Sequence, residues 1–225
     1  MKLPRQIHRW NVTPSEAIAI QRRLLSRIVD RKPPGSMRFV AGVDAAFPRD
    51  GSRCVAAVVL WDSRKKQIVE KHTGEAELLL PYIPGLLSFR EAPALLAALR
   101  KLERVPDVVM CDGQGVAHPR RLGIAAHMGL LTDLPSIGCA KSILVGDHAR
   151  LAKKRGSRVP LVHKGERVGT VLRTRHGVKP VYVSIGHKMD LRTAEQIVLR
   201  CGAGFRLPEP TRLADQLVGR AARIA

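Results

Sequence analysis

The sequence predicts an α/β protein with a mixed central sheet, three antiparallel strands followed by parallel ones, flanked by helices. Three observations carry that expectation. The strand-like runs "MRFVAGVDAAF", "RCVAAVVLW" and "QIVEKHTGEA" are joined by the turn-forming stretches "PRDGS" and "DSRKK". Such short links between neighbouring strands favour an antiparallel meander. Helix-like and strand-like segments then alternate, which puts parallel strands beside the meander and helices on its faces. Of 225 residues, 45% are hydrophobic, enough for one well-cored domain over residues 1–225, and no stretch reads as a domain linker.

Each element has a local reason. "VTPSEAIAIQRRLLSRIVD" reads as a helix, with Thr13 as cap, Pro14 at the first helical position and Glu16 completing a capping box; "PPGS" stops it. After the meander, "PYIPGLLSFREAP" opens as a rigid turn, because its prolines bar it from a central strand. "SFREAPALLAALRKLE" reads as a helix whose Ser88 and Glu91 have capping-box spacing. A buried strand "PDVVMCDG", a loop "GQGVAHPRR", a helix "LGIAAHMGLLTD" and a short strand "PSIGCAK" follow. Residues 146–160 read as a basic loop, "ERVGTVLRTRHGVKPVYVSIG" as a hairpin turning at His176 and Gly177, and two helices close the chain at about 190–201 and 209–223.

Charge narrows the function. Thirty-nine Lys and Arg against 19 Asp and Glu give +20 and a sequence pI near 11.0. That excess points to a polyanionic partner such as nucleic acid. Membrane insertion is excluded on pattern, since the apolar runs fall well short of the roughly 20 residues a spanning helix needs. "MKLPRQIHRW" has no apolar signal core, so the expected location is intracellular, in the cytoplasm. Cys54, Cys111, Cys139 and Cys201 form no CxxC pair or Cys/His cluster, which argues against zinc and against a disulfide framework.

In so basic a chain, carboxylates at the ends of apolar strands need a reason. Asp44 sits in "AGVDAAF" and Asp112 ends "VVMCD". A carboxylate taken out of water costs several kcal/mol unless paired or bound to a metal. The carboxyl ends of parallel strands are also the usual ligand-binding edge of an open α/β sheet. If those two strands are neighbours, the carboxylates meet, and a hard divalent cation such as Mg²⁺ relieves their repulsion. Bland alternatives exist for each: a salt bridge for Asp44, an Asx turn for Asp112, the capping box for Glu91 and an exposed helix charge for Asp215.

The element order resembles the ribonuclease H-like fold, whose nucleases place acids on the first strand, first helix, fourth strand and a late helix. Asp44, Glu91, Asp112 and Asp215 occupy those places in order. The motifs "AGVDAAF", "PYIPGLLSFRE", "CDGQGVAHPRRLGIAAHMGLL", "GCAKSIL", "GVKPVYVSIGHKMDL" and "RLPEPTRLAD" together resemble the endonuclease V family, the deoxyinosine 3′-endonucleases, over about residues 38–220.

The resemblance implies metal binding by Asp44, Glu91 and Asp112, with Mg²⁺ as cofactor and Mn²⁺ as a substitute. It assigns catalytic roles to Lys141, His118 and, least firmly, Asp215. It implies a pocket for a flipped base around Gly85, Leu87, Gly113, Gly115, Gly123, Ile124 and Gly138, with glycines letting backbone approach the base. Pro81, Tyr82, Ile83 and Pro84 are then a wedge filling the space the base leaves. Arg150, Lys153, Lys154, Arg155 and Arg158 are expected on phosphates. The implied activity is metal-dependent hydrolysis of the second phosphodiester 3′ to deoxyinosine in DNA, by a monomer. Cleavage of inosine-containing RNA and non-catalytic nucleic-acid binding are the alternatives.

Overall fold

The computed structural model describes residues 1–48 and 51–224. Arg49 and Asp50, in the turn expected between the first two strands, lie outside the described residues. The first helix, α1 (Pro14–Leu25), has the expected capping box. The Thr13 hydroxyl accepts from the Glu16 N–H, and the Glu16 carboxylate accepts from the Thr13 N–H at 2.8 Å. Strands β1 (Phe39–Ala46), β2 (Arg53–Asp62) and β3 (Gln67–Glu77) form the antiparallel meander. Next come α2 (Leu87–Arg100), β4 (Val108–Cys111), α3 (Ile124–Thr132) and β5 (Ser136–Ala140). Strand β4 pairs parallel with β1, and β5 parallel with β4. The chain ends with β6 (Arg158–His163), β7 (Glu166–Leu172), β8 (Val181–Ile185), α4 (Leu191–Arg200) and α5 (Glu209–Ile224). The sheet order β3-β2-β1-β4-β5-β8-β7-β6 contains the ribonuclease H-like arrangement expected from the sequence.

Side-chain alternation gives the sheet two buried faces. Ala41, Val43, Val109 and Cys111 point to one face and pack against α2 and α3. Val40, Val108 and Met110 point to the other, against α4. Helix α5 lies on this second face too, where Val218 packs on Val55 and Ala57. It comes so close to β1 that a Cβ on Gly42 would stand 2.1 Å from the carbonyl carbon of Pro210.

Two local expectations are corrected. Residues 158–160 begin a strand rather than ending a loop, because "RVPLVH" pairs with β7 around Lys164 and Gly165. Pro160 is tolerated there because β6 is the edge of the sheet. Helix α2 starts at Leu87, and Ser88 is not its cap: the Ser88 hydroxyl is 2.9 Å from Nδ1 of His127. Glu91 is thereby released from any capping role. All four cysteines are buried, and burial pushes the thiols of Cys54 and Cys201 up to about 12, so they behave as small apolar groups. Among the described residues, no helix is long and apolar enough to cross a membrane.

Candidate active site

Register puts the first two acids together. Val43 pairs with Cys111 in the parallel β1–β4 ladder, so Asp44 and Asp112, one residue further on each strand, stand side by side. The Asp112 N–H donates to the Val43 carbonyl at 3.3 Å. Both side chains project to the α5 face, where the close approach at Gly42 seats Asp215 one turn beyond Pro210. Carboxylate oxygens of Asp44, Asp112 and Asp215 all lie within 4.8 Å of one another. Lys141 follows β5 at the same carboxyl-end edge. Its Nζ is 2.6 Å from Asp112 Oδ2 and 2.8 Å from Asp215 Oδ1.

The electrostatics record crowding. Burial and then the Asp112 charge push the Asp44 carboxyl up to about 7, although its Oδ1 accepts from the Ala45 N–H at 2.9 Å. Burial also raises Asp112, opposed by the Lys141 ion pair. Burial works against the Lys141 ammonium, but its two carboxylate partners win and raise its pKa. Three clustered carboxylates, one of them raised by burial and then by its neighbour's charge, form an oxygen donor set that fits a hard divalent cation. Asp44, Asp112 and Asp215 would hold it.

Glu91 reaches the site from the opposite face of the sheet, since α2 packs on the Ala41–Val43 side. It falls outside the 4.8 Å group. It still senses the site: burial, Asp44 and Asp112, in that order, push its carboxyl up to about 8. Asp215, the least firmly expected of the four acids, thus joins the compact cluster, while Glu91 borders it.

The acids open into a cavity of about 480 Å³, also lined by Tyr82, Gly85, Leu87, Ser88, Gln114, His118 and Ile124. Tyr82 is 67% exposed beside it. Pro81 and Pro84 are exposed as well, whereas Ile83 packs against the Leu80–Leu86–Phe89 cluster. Ile83 is therefore an anchor of the prong and not part of its free tip. The Gly85 carbonyl fixes the other end, accepting from Gln21 Nε2 at 2.9 Å, Arg120 Nη2 at 2.8 Å and His118 Nε2 at 3.1 Å.

His118 is committed by that geometry. Its Nδ1 accepts from the Arg120 N–H at 3.1 Å, so Nε2 carries the proton that it donates to Gly85. Burial lowers its pKa to about 4. With both ring nitrogens engaged, the ring acts as a clamp beneath the prong. Nothing in the sequence marked Gln21 and Arg120 as its co-clamps beyond their place in a helix and in "HPRR".

The glycines divide into two groups. Gly85, Gly113 and Gly123 line the cavity, as do Leu87 and Ile124, but Gly115 and Gly138 do not. A Cβ on Gly115 would meet the Ile185 carbonyl oxygen at 1.9 Å, and one on Gly138 would meet Gly115 N at 2.5 Å and Gly113 O at 2.6 Å. At both positions the backbones lie too close together to leave room for a side chain. The basic segment is also partly engaged within the protein. Arg158 pairs with Glu195 at 2.8 Å and Arg155 donates to the Leu199 carbonyl at 2.8 Å. Arg150, Lys153 and Lys154 are exposed.

The chain is similar to known proteins over most of its length. The sequence model of the Endonuclease V family matches residues 22–216. An endonuclease V from Trichormus variabilis is 52% identical over 213 residues, covering 94% of this chain and 96% of that one. The crystal structure of endonuclease V from Streptomyces avermitilis superposes with a TM-score of 0.90 at 43% identity, over 94% of both chains. Human endonuclease V gives 0.84 at 34% identity, over 93% of this chain and 98% of that one. The Ciona intestinalis enzyme, solved with a 24mer DNA containing an inosine followed by a ribo-adenosine, gives 0.80 at 26% identity, over 92% and 96%. With that match over most of its length, and with its acids gathered at the carboxyl edge of a ribonuclease H-like sheet, the chain belongs to the endonuclease V family of nucleases.

Proposed function

We propose that this nuclease is a monomeric, single-domain cytoplasmic repair enzyme. It recognises deoxyinosine in DNA and hydrolyses the second phosphodiester 3′ to it, using Mg²⁺ with Mn²⁺ as a substitute. One observation carries the reading: the three-carboxylate cluster with Lys141 and the prong-bordered cavity are a single continuous opening. A cavity beside the acids can receive an extruded base while the acids face its backbone. Extrusion costs a few kcal/mol, and least for a poorly paired base, so weak pairing contributes selectivity. Tyr82 enters the stack that the base has left.

A divalent cation supplies Lewis acidity toward phosphate oxygen and a more acidic water. Asp44 Oδ1 is held by the Ala45 N–H, which aims the remaining oxygen into the cluster. Lys141, paired with Asp112 and Asp215 at the edge of the cluster, would offer its ammonium to phosphate and stabilise charge developing in the transition state. Glu91, with its carboxyl raised to about 8, stands ready to hold a proton at the rim or to complete the ligand set. His118 holds Gly85 and so sets the distance from prong to cluster.

The direct test is a labelled duplex with one deoxyinosine, with and without Mg²⁺. A nick at the second 3′ phosphodiester that requires the metal is expected; binding without nicking in Mg²⁺ or Mn²⁺ would leave only a nucleic-acid-binding protein. The matched strand carrying ribo-inosine separates the RNA reading, which the ribo-adenosine of the Ciona complex makes worth measuring. Two further outcomes are expected. Tyr82→Ala lowers the preference for the deoxyinosine duplex over undamaged DNA about tenfold with Tm within about 2 °C of wild type, because the side chain is exposed. Raising salt from 50 to 200 mM weakens binding by at least about 100-fold, since each neutralised phosphate releases counterions; a flat response would contradict the use of the +20 charge.

A further inference from the structure

We infer that Ser88 reads the extruded base as an obligate hydrogen-bond acceptor, its polarity imposed by a relay through two buried histidines. The inference rests on the base-binding reading of the cavity. Ser88 lines that cavity, is 4% exposed, and stands one residue past the start of α2. Its hydroxyl is 2.9 Å from Nδ1 of His127, and His127 Nε2 is 2.7 Å from Nε2 of His8. The relay ends where His8 Nδ1 meets the Arg9 carbonyl at 2.8 Å.

A carbonyl only accepts, so His8 Nδ1 carries a proton. Burial lowers both histidines, His127 to about 3, so each ring is neutral with one N–H. His8 Nε2 is then a lone pair and accepts from His127 Nε2–H. That leaves His127 Nδ1 as a lone pair, and the Ser88 hydroxyl must donate to it. With its only proton committed, Ser88 offers the cavity nothing but lone pairs. The aromatic cluster of His8, Trp10, Phe89 and His127 keeps water from competing along the relay.

The chemistry this selects is a ring N–H. Hypoxanthine carries a proton on N1, where adenine carries a lone pair, and a lone pair facing a lone pair leaves two buried acceptors unsatisfied. A site built to bond a substrate N–H rejects the analogue that lacks it far more strongly than a change of shape would. Deamination of adenine is the change that creates this proton. The relay therefore lets a neutral serine sense it without a charge of its own. His8 lies before residue 22, where the family match begins.

Two measurements test this. The ¹⁵N and ¹H spectra of the histidines in the free protein should show His8 protonated at Nδ1 and His127 at Nε2; a proton on His127 Nδ1 would make Ser88 a donor and overturn the assignment, whatever the protein cleaves. Binding is then compared in the Asp44→Asn background for duplexes carrying deoxyinosine, deoxynebularine (no N1–H) or no lesion. Ser88→Ala is expected to weaken deoxyinosine binding about tenfold and to leave the other two within twofold, while Ser88→Thr, which keeps the hydroxyl, restores most of it. An equal loss on deoxyinosine and deoxynebularine, or no loss on either, would show that Ser88 supports the fold and does not read N1–H. If wild type fails to prefer deoxyinosine over undamaged DNA, the base-binding reading itself has failed, and the spectra still report the relay.

Discussion

Asp44→Asn is expected to lower cleavage of the deoxyinosine duplex by at least about 1,000-fold while raising the Tm of the metal-free protein at pH 8 by about 5 °C. The two effects share a cause. Burial and Asp112 hold the Asp44 carboxyl at about 7 in the folded protein, against about 3.9 when unfolded. Between those values the folded state binds more protons than the unfolded one, so stability falls as pH rises from about 4 to 7 and stays low above. The destabilisation is absent at pH 4 and complete at pH 8. Asparagine keeps the oxygen that accepts from the Ala45 N–H and removes the charge, so the variant loses the cost along with the ligand. The checks are single-turnover cleavage and a thermal melt at both pH values. Adding Mg²⁺ should raise the Tm of wild type and leave the variant nearly unmoved, because a ligand stabilises only the state that binds it. A variant that melts below wild type at pH 8 would mean that the carboxylates do not repel, and the cation site would lose its main support.

How far this site was legible follows from the range of the forces that build it. Asp44 and Asp112 were readable because an acid inside an apolar strand is expensive and local pattern reveals it. Their meeting needed only the order of the strands, which the short turns and alternating elements supplied. Asp215 was harder to place. Its nearness to Asp44 comes from α5 packing on β1 at Gly42, a contact between residues 42 and 210 that no local pattern encodes. Glu91 misled in one respect: its spacing from Ser88 fits a capping box, yet tertiary packing gave the serine hydroxyl to His127, 39 residues away. Strand β6 was lost in a run of charges, because an edge strand can be exposed and carry proline without the alternation that marks a half-buried one. The clamp on Gly85 joins α1, the prong and the "HPRR" loop, and such three-way convergence shows only in the folded chain.

The glycines set the second large effect. Gly138→Ala is expected to cost about 3 kcal/mol or more, a fall in Tm of roughly 6–12 °C, because the three nearest atoms its Cβ would meet belong to the backbone of Gly113, Gln114 and Gly115 and cannot turn aside. Gly113→Ala lies one loop away and differs in kind. Its Cβ would press at 2.5 Å on Cγ2 of Ile124, a side chain that can change rotamer. Ile124 lines the cavity, so the rotamer change narrows it. Gly113→Ala should therefore keep its Tm within about 3 °C and lose about tenfold or more in deoxyinosine binding. The contrast tests what the glycine pattern is for. If glycines served only to admit the base, the two variants would lose binding alike and melt alike. If Gly138 instead lets the loop after β4 lie flat on β5, it also sets the spacing between Asp112 at the end of one strand and Lys141 at the end of the other. Gly138→Ala would then loosen that ion pair, and its residual cleavage would fall further than its folded fraction. Melting curves and binding isotherms on the two proteins, with cleavage normalised to the folded fraction, separate the outcomes.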